Sequence, residues 1–312
     1  MTTPEAGSTY PRRRGGRRGT YSIVARDPAT GAMGVAVQSH WFSVGALVPA
    51  AAAGVGAVAT QAFFDVQHKP RALALLRDGR SAADVSAALL DGDDAGDHRQ
   101  FAVVDNEGRA VGHTGSSCIR EAGHVAGDGY VCQANMMRTA EVWPAMAQAY
   151  EQTIGRGMTA ALLAALDAAE LAGGDIRGRQ SAAILIVPPT GTEADRIVDL
   201  RVEDHPAPLA ELRRLVTLND AYVLADEGDA ALAHGDAALA ADRYVAAYEA
   251  APQNIELQFW AALGLISADL HDRGLLLLRQ VVDQDRSWHE LLRRLSPELV
   301  PSAPEALRLL DG

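Results

Sequence analysis

Cysteine is nearly absent from this chain, with only Cys118 and Cys132 in 312 residues. That excludes a disulfide framework and leaves two thiols expected to be reduced. No apolar run reaches the roughly 18 residues that a membrane-spanning helix needs. The N-terminus has arginines but no apolar stretch behind them, so neither a secretory nor a twin-arginine signal fits, and a cytoplasmic location is expected. Metal-ligand spacing is missing as well: the nine histidines form no HExxH or comparable pattern. The stretch "DGDDAGDH" at 91–98 resembles a calcium loop, yet Ala102 falls where the closing acid should be. Neither a Walker loop nor a dinucleotide fingerprint is present, so neither metal nor cofactor is expected. Lysine occurs once, as Lys69.

What is present is the composition of a globular protein, 48% hydrophobic and 22% charged, long enough for one large domain or two ordinary ones. Charge is unevenly placed. Residues 1–19 hold five arginines and one glutamate, and that net +4 leaves −16 on the rest of a chain whose total is −12. An acidic body argues against binding a phosphate backbone.

The stretches "TYSIVARD" (20–27) and "AMGVAVQS" (32–39) alternate at period two across "DPATG", which reads as a β-hairpin. "GVGAVATQAF" (54–63) is small and apolar on both faces, as an interior strand is. Short helices are expected over 70–77 and 82–90, and a second hairpin over 99–115 turns at Asn106-Glu107-Gly108. Helical patterns over 140–152 and 159–171 precede strands at 181–189 and 196–202. Hairpins with helices in separate blocks predict a layered α+β domain.

From about residue 208 strands disappear and Ala/Leu-rich helical periodicity begins. Counted back from Pro252, a tetratricopeptide register puts Gly228, Ala240, Tyr244 and Ala247 at its small, small, aromatic and small positions. Thirty-four residues on, the slots hold Ala262, Gly274, Leu278 and Val281, a degenerate copy; a generic helical extension is the competing reading. The tail from Trp288 alternates charge and leucine like an amphipathic helix, suited to core or dimer packing.

Thr20 opens the first strand directly after Gly19. Between Thr2 and Gly19 there is no Met, Val or Leu to serve as a later start, so the segment is expected to be translated. Its Arg/Gly/Pro/Thr composition is that of a segment disordered or removed. Attack by the Thr20 hydroxyl on the Gly19 carbonyl would free an α-amine with pKa near 8, a base suited to cellular pH. Nucleophile and base would then share one residue. A β-branched residue merely opening a strand is the plainer alternative.

"TYSIVARDPATGAMGVAVQS", "VGAVATQAF", "HRQ", "HTGSSC", "QANMM" and "GGDIRGRQSAA" together resemble, in matching order over about 20–215, the bacterial family catalogued as domain of unknown function 1028. That family is placed in the N-terminal nucleophile (Ntn) hydrolase superfamily. The resemblance implies a four-layer αββα sandwich with Thr20 heading a central strand, and hydrolysis of an amide-type C–N bond. Members commonly carry Met immediately before this threonine, whereas this chain has Gly19 and a pro-segment. Some members have a helical or repeat segment at the C-terminus.

Such a site needs an oxyanion donor and groups that orient the nucleophile. Proteasome-like members of the superfamily use Asp and Lys; Lys69, after the third strand, is not assigned that role. Ser39, ending the second strand, is the candidate to orient the amine, or else a hydroxyl satisfying its turn. Asn135 is the preferred oxyanion donor, with Gln133 on the same face, unless Asn135 caps the following helix. In "GGDIRGRQS", Arg177 and Arg179 suit a fork for a substrate carboxylate with Asp175 holding one guanidinium, or else a salt-bridged loop; Arg99 has the same two readings. Cys118 is the weaker nucleophile candidate.

The reading divides the chain into a pro-segment (1–19), an Ntn-hydrolase-like α+β domain (20–207) and a helical tetratricopeptide-like segment (208–312). Its function is hydrolysis of a small amide or ureido bond in a substrate that carries a carboxylate. A homo-oligomer is expected, with a protein partner at the repeats; a non-catalytic scaffold is the rival. No nucleic acid or membrane is expected as a partner.

Overall fold

The computed structural model describes residues 19–312. Of the expected pro-segment only Gly19 falls within them; the rest lies outside the described residues. Two compact units divide at Arg213/Arg214, a few residues beyond the composition shift at 208.

The first unit holds two antiparallel sheets. One has six strands in the order β10-β9-β2-β1-β8-β7, namely β10 (Val198–Val202), β9 (Ser181–Val187), β2 (Met33–Ser39), β1 (Thr20–Arg26), β8 (Tyr130–Asn135) and β7 (Gly123–Gly127). The other runs β3 (Pro49–Ala52), β4 (Gly56–Ala62), β5 (Arg99–Asp105), β6 (Ala110–Thr114). Both predicted hairpins are present, and β4 is interior as its two apolar faces require. The strands β3 and β7 are additions, because "PAAA" and "GHVAG" carry no alternating large side chains from which a strand can be read.

Alternation decides which face each residue buries. Val24, Val35 and Val37 of one sheet meet Ala57, Ala59, Ala102 and Val104 of the other, so the sheets share a core of valine against alanine. The one-turn α1 (Val44–Leu47) connects β2 to β3, and on the far side of the four-stranded sheet Val58, Phe101 and Val103 pack against α2 (His68–Arg77) and α3 (Ala82–Leu90). The start of α3 is fixed by a capping box between Ser81 and Asp84. Helices α4 (Val142–Thr153) and α5 (Met158–Leu171) belong to the six-stranded sheet. Gly34 of β2 lies so close to Leu162 of α5 that a Cβ would sit 2.8 Å from its Cδ1, and the Tyr21 hydroxyl donates to Glu170 of α5 at 2.6 Å.

In the second unit, α6 (Pro208–Ala233, from residue 214 onward), α7 (Ala237–Ala250), α8 (Ile255–Ser267) and α9 (His271–Gln284) are joined by short loops. The spaced small residues serve close approach: a Cβ on Gly228 or Gly264 would lie 2.7 or 2.4 Å from the Tyr244 ring. Ala240 and Ala247 are buried beside it, and Ala262, Leu278 and Val281 are buried at the second set of positions. Past Trp288 the expected single helix is instead two, α10 (Ser287–Arg294) and α11 (Ala303–Asp311). Pro297 and Pro301 stand between them, where each removes a backbone donor and blocks helical continuation. No described helix is long and apolar enough to cross a membrane.

Candidate active site

Thr20 is buried at the head of β1, in register with Asn135 at the end of β8. Its Oγ1 lies 3.1 Å from Oγ of Ser39, which ends β2, and donates to the Gly19 carbonyl oxygen at 2.7 Å. The same oxygen accepts from the Ser39 hydroxyl and, at 2.8 Å, from Nη2 of Arg177. Two hydroxyls and a guanidinium therefore converge on one buried carbonyl, the donor arrangement that stabilises negative charge on oxygen.

Arg177 is held in place by Asp175, whose side chain is fully buried and accepts from Arg177 Nε (3.1 Å), Nη2 (2.7 Å) and backbone N (2.9 Å) and from the backbone N of His40 (3.2 Å). The loop that carries this pair folds through glycines with left-handed φ at 173, 174 and 178. The pairing of Asp175 with Arg177 agrees with the sequence reading, but the guanidinium faces the Gly19 carbonyl. Gly19 itself is explained by space: a Cβ there would lie 2.8 Å from Asp175 Oδ2 and 2.9 Å from Arg177 Nη2. Close approach therefore calls for glycine here.

The other two arginines are engaged elsewhere. Arg179 pairs with Glu170 of α5, the residue that also takes the Tyr21 hydroxyl; burial, then that carboxylate, pushes the Tyr21 phenol well above its ordinary value. Arg99 donates from Nε and Nη2 to Asp93 and from Nη1 to the Phe63 carbonyl. It begins β5 on the face opposite Gln100, away from the space between the sheets.

Behind Thr20 a network of neutral side chains joins the two sheets. Gln61 donates to the Thr20 carbonyl (3.1 Å) and to Gln100 Oε1 (2.9 Å), and accepts from Ser22 Oγ (2.7 Å). Asn135 donates to Gln100 Oε1 at 2.9 Å, and Gln133 donates to Ser22 Oγ at 3.2 Å and the Ala59 carbonyl at 3.3 Å. Gln133 and Asn135 do share a face. The amide of Asn135, however, points to Gln100, and the next helix starts only at Val142, so Asn135 is a strand end and not a helix cap. Gln61 and Gln100 are site residues that the sequence reading does not name; each is the lone amide of its strand, and that is the available signal. Three non-glycine residues with left-handed φ, Ser43, Ala62 and Met136, lie at or just past the ends of β2, β4 and β8 on the Thr20 side. Such conformations cost roughly 1–3 kcal/mol each and cluster at working sites.

Lys69 lies in the first turn of α2 with its Nζ on the carbonyls of Ala46 (3.4 Å) and Pro49 (3.2 Å). Burial first, then Arg201, lowers its pKa to about 8. Only the neutral amine attacks an electrophile, so acetylation of Lys69 should rise with pH through about 8. An ordinary lysine does so only near about 10.4. Because it is the chain's sole lysine, peptide mass mapping after labelling across pH 6–11 separates it cleanly from any α-amine; a midpoint near 10 would contradict the burial argument.

Two antiparallel sheets with a helix layer outside each, and a threonine-headed strand at the middle of one, define a mixed α+β protein organised round one strand end. Residues 20–212 match the Family of unknown function (DUF1028), and the chain belongs to that family. The match begins at Thr20. A crystal structure of protein SPO2555 from Silicibacter pomeroyi, also DUF1028, is similar at 33% identity and a TM-score of 0.57, covering 64% of this chain and 88% of that one. No curated protein matches the chain.

Proposed function

We propose that this chain is an Ntn hydrolase of the αββα type, matured by cleavage between Gly19 and Thr20, that hydrolyses an amide or ureido C–N bond. The observation that carries this reading is the Gly19 carbonyl, bonded at once by the Thr20 nucleophile, Ser39 and Arg177. Attack of Thr20 Oγ1 on the Gly19 carbonyl carbon forms a C–O bond; the C–N bond then breaks and the Thr20 nitrogen takes the proton. Water hydrolyses the resulting ester, releasing the Gly19 carboxylate and leaving a free α-amine. In the mature protein the amine is the base and the hydroxyl the nucleophile. The nearby Arg177 cation disfavours protonation of that amine, which keeps it basic in function at neutral pH. The register of small residues around Tyr244 supports a tetratricopeptide-like second unit that holds a protein partner.

The test is a hydroxyl-directed electrophile such as a β-lactone, applied to processed protein and read by peptide mass. Acylation confined to the peptide that begins at Thr20 is expected. Processed protein that takes up no label leaves the scaffold reading in its place.

A further inference from the structure

A cleft of about 430 Å³ opens at the same end of the sheets as Thr20, lined among others by Thr114, Cys118, Arg120, His124 and Trp143. Its position follows from the register. Thr20 pairs with Asn135, and the preceding residue of β8, Ala134, pairs with Gly123, which starts β7 and lines the cleft. Two strand spacings separate Thr20 from the cleft, about 10 Å.

The cleft differs chemically from the rest of this acidic chain. No aspartate or glutamate lines it. Arg120 is exposed and has no ion pair or hydrogen bond among the described residues, whereas Arg99, Arg177 and Arg179 are all paired. The other polar groups carry no formal charge of their own. Gln100 Nε2 donates to Thr114 Oγ1 at 3.0 Å, and the same oxygen lies 2.9 Å from His124 Nδ1. Burial, then His113, lowers the His124 pKa, which favours the neutral imidazole. Burial raises the Cys118 pKa, so it remains an uncharged thiol. Arg120 is thus the one formal charge in the lining. Trp143 adds a flat apolar wall, lying so close over Gly123 that a Cβ there would be 2.5 Å from its ring.

Resting on the hydrolase reading, we infer that this cleft is the substrate's distal subsite, in which Arg120 takes a carboxylate about 10 Å from the bond cleaved at Thr20 and Trp143 supports a planar body. A cation without a partner, in a lining with no carboxylate, is complementary to a carboxylate and repels nothing that carries one. The substrate class is therefore an amide or ureide with a carboxylate at the far end of a flat spacer. The carboxylate expected at Arg177 and Arg179 is assigned to Arg120 instead.

The probe is 4′-acetamidobiphenyl-4-carboxylate, whose amide nitrogen and carboxylate carbon are about 10 Å apart to match two strand spacings, titrated calorimetrically into the full chain, with neutral 4′-acetamidobiphenyl-4-carboxamide as its partner compound. Saturable binding of the carboxylate is expected, weakened at least tenfold by Arg120→Gln and partly restored by Arg120→Lys. The neutral amide should bind equally to wild type and Arg120→Gln, and Trp143→Ala should weaken both compounds. An unchanged melting temperature verifies that Arg120→Gln is folded. Absence of saturable binding, or equal carboxylate affinity in wild type and Arg120→Gln, overturns the inference. Release of 4′-aminobiphenyl-4-carboxylate is read separately: binding that depends on Arg120 without release sinks the hydrolase reading alone, and release that does not depend on Arg120 sinks the subsite alone.

Discussion

Thr20→Ala should keep residues 1–19 attached, while wild-type protein loses them, as read by intact mass after identical purification. The expectation rests on one contact set. The only hydroxyl bonded to the Gly19 carbonyl from the adjoining residue is that of Thr20, at 2.7 Å, and alanine removes it while leaving the strand pairing with β2 and β8 in place. Turnover on any substrate found should also fall by several orders of magnitude, because alanine removes the nucleophile whether or not the α-amine is freed. Thr20→Ser, which keeps the hydroxyl, should still mature. If both proteins retain the segment, the threonine has no free amine and the hydrolase proposal fails. If both lose it, another protease has cut the chain, and the proposal then stands or falls on the turnover of Thr20→Ala.

Arg177→Gln should slow maturation by roughly 10²–10³-fold, the usual cost of losing one oxyanion donor. The arginine gives its Nη2 proton to the Gly19 carbonyl from a position fixed by Asp175, so little reorganisation is needed when that oxygen becomes an anion. Glutamine retains a donor for the buried Asp175 carboxylate. Alanine would strand that charge, at a cost of about 3–5 kcal/mol, and the variant could fail for reasons of folding. Arg177→Lys should mature at an intermediate rate, since an ammonium cannot serve Asp175 through two parallel bonds and reach Gly19 as well. The measurement is a time course of cleaved fraction by mass after rapid purification, with melting temperature as the control. A wild-type rate in a folded Arg177→Gln would show that the guanidinium does not act on the carbonyl.

Alternation and turn chemistry made the hairpins β1–β2 and β5–β6 readable, because each strand carries enough branched side chains to declare a face. β3 and β7 were unreadable for the opposite reason: four residues of proline and alanine, and a glycine-flanked pentapeptide, have no face to declare. Thr20 and Ser39 were legible as strand ends whose hydroxyls fall at one edge. The arginines were legible as charged residues and not by role, since the partner of each is set by tertiary contact. Asp93 for Arg99, Glu170 for Arg179 and the Gly19 carbonyl for Arg177 lie 6, 9 and 158 residues away. Arg120 is legible only as a charged residue, because the cleft it lines is assembled from the end of β6, the start of β7 and the start of α4 by tertiary contact.

The side from which Thr20 is held has a mechanical consequence. Gln61 fastens its carbonyl and the ladder to β8 fastens its strand, and every one of these ties lies on Thr20 or downstream of it. The backbone of the nucleophile is moored from behind only. Severing everything upstream costs the side chain its bond to the Gly19 carbonyl but slackens none of the backbone's ropes, and the threonine that emerges at a new chain end keeps the berth it had in mid-chain.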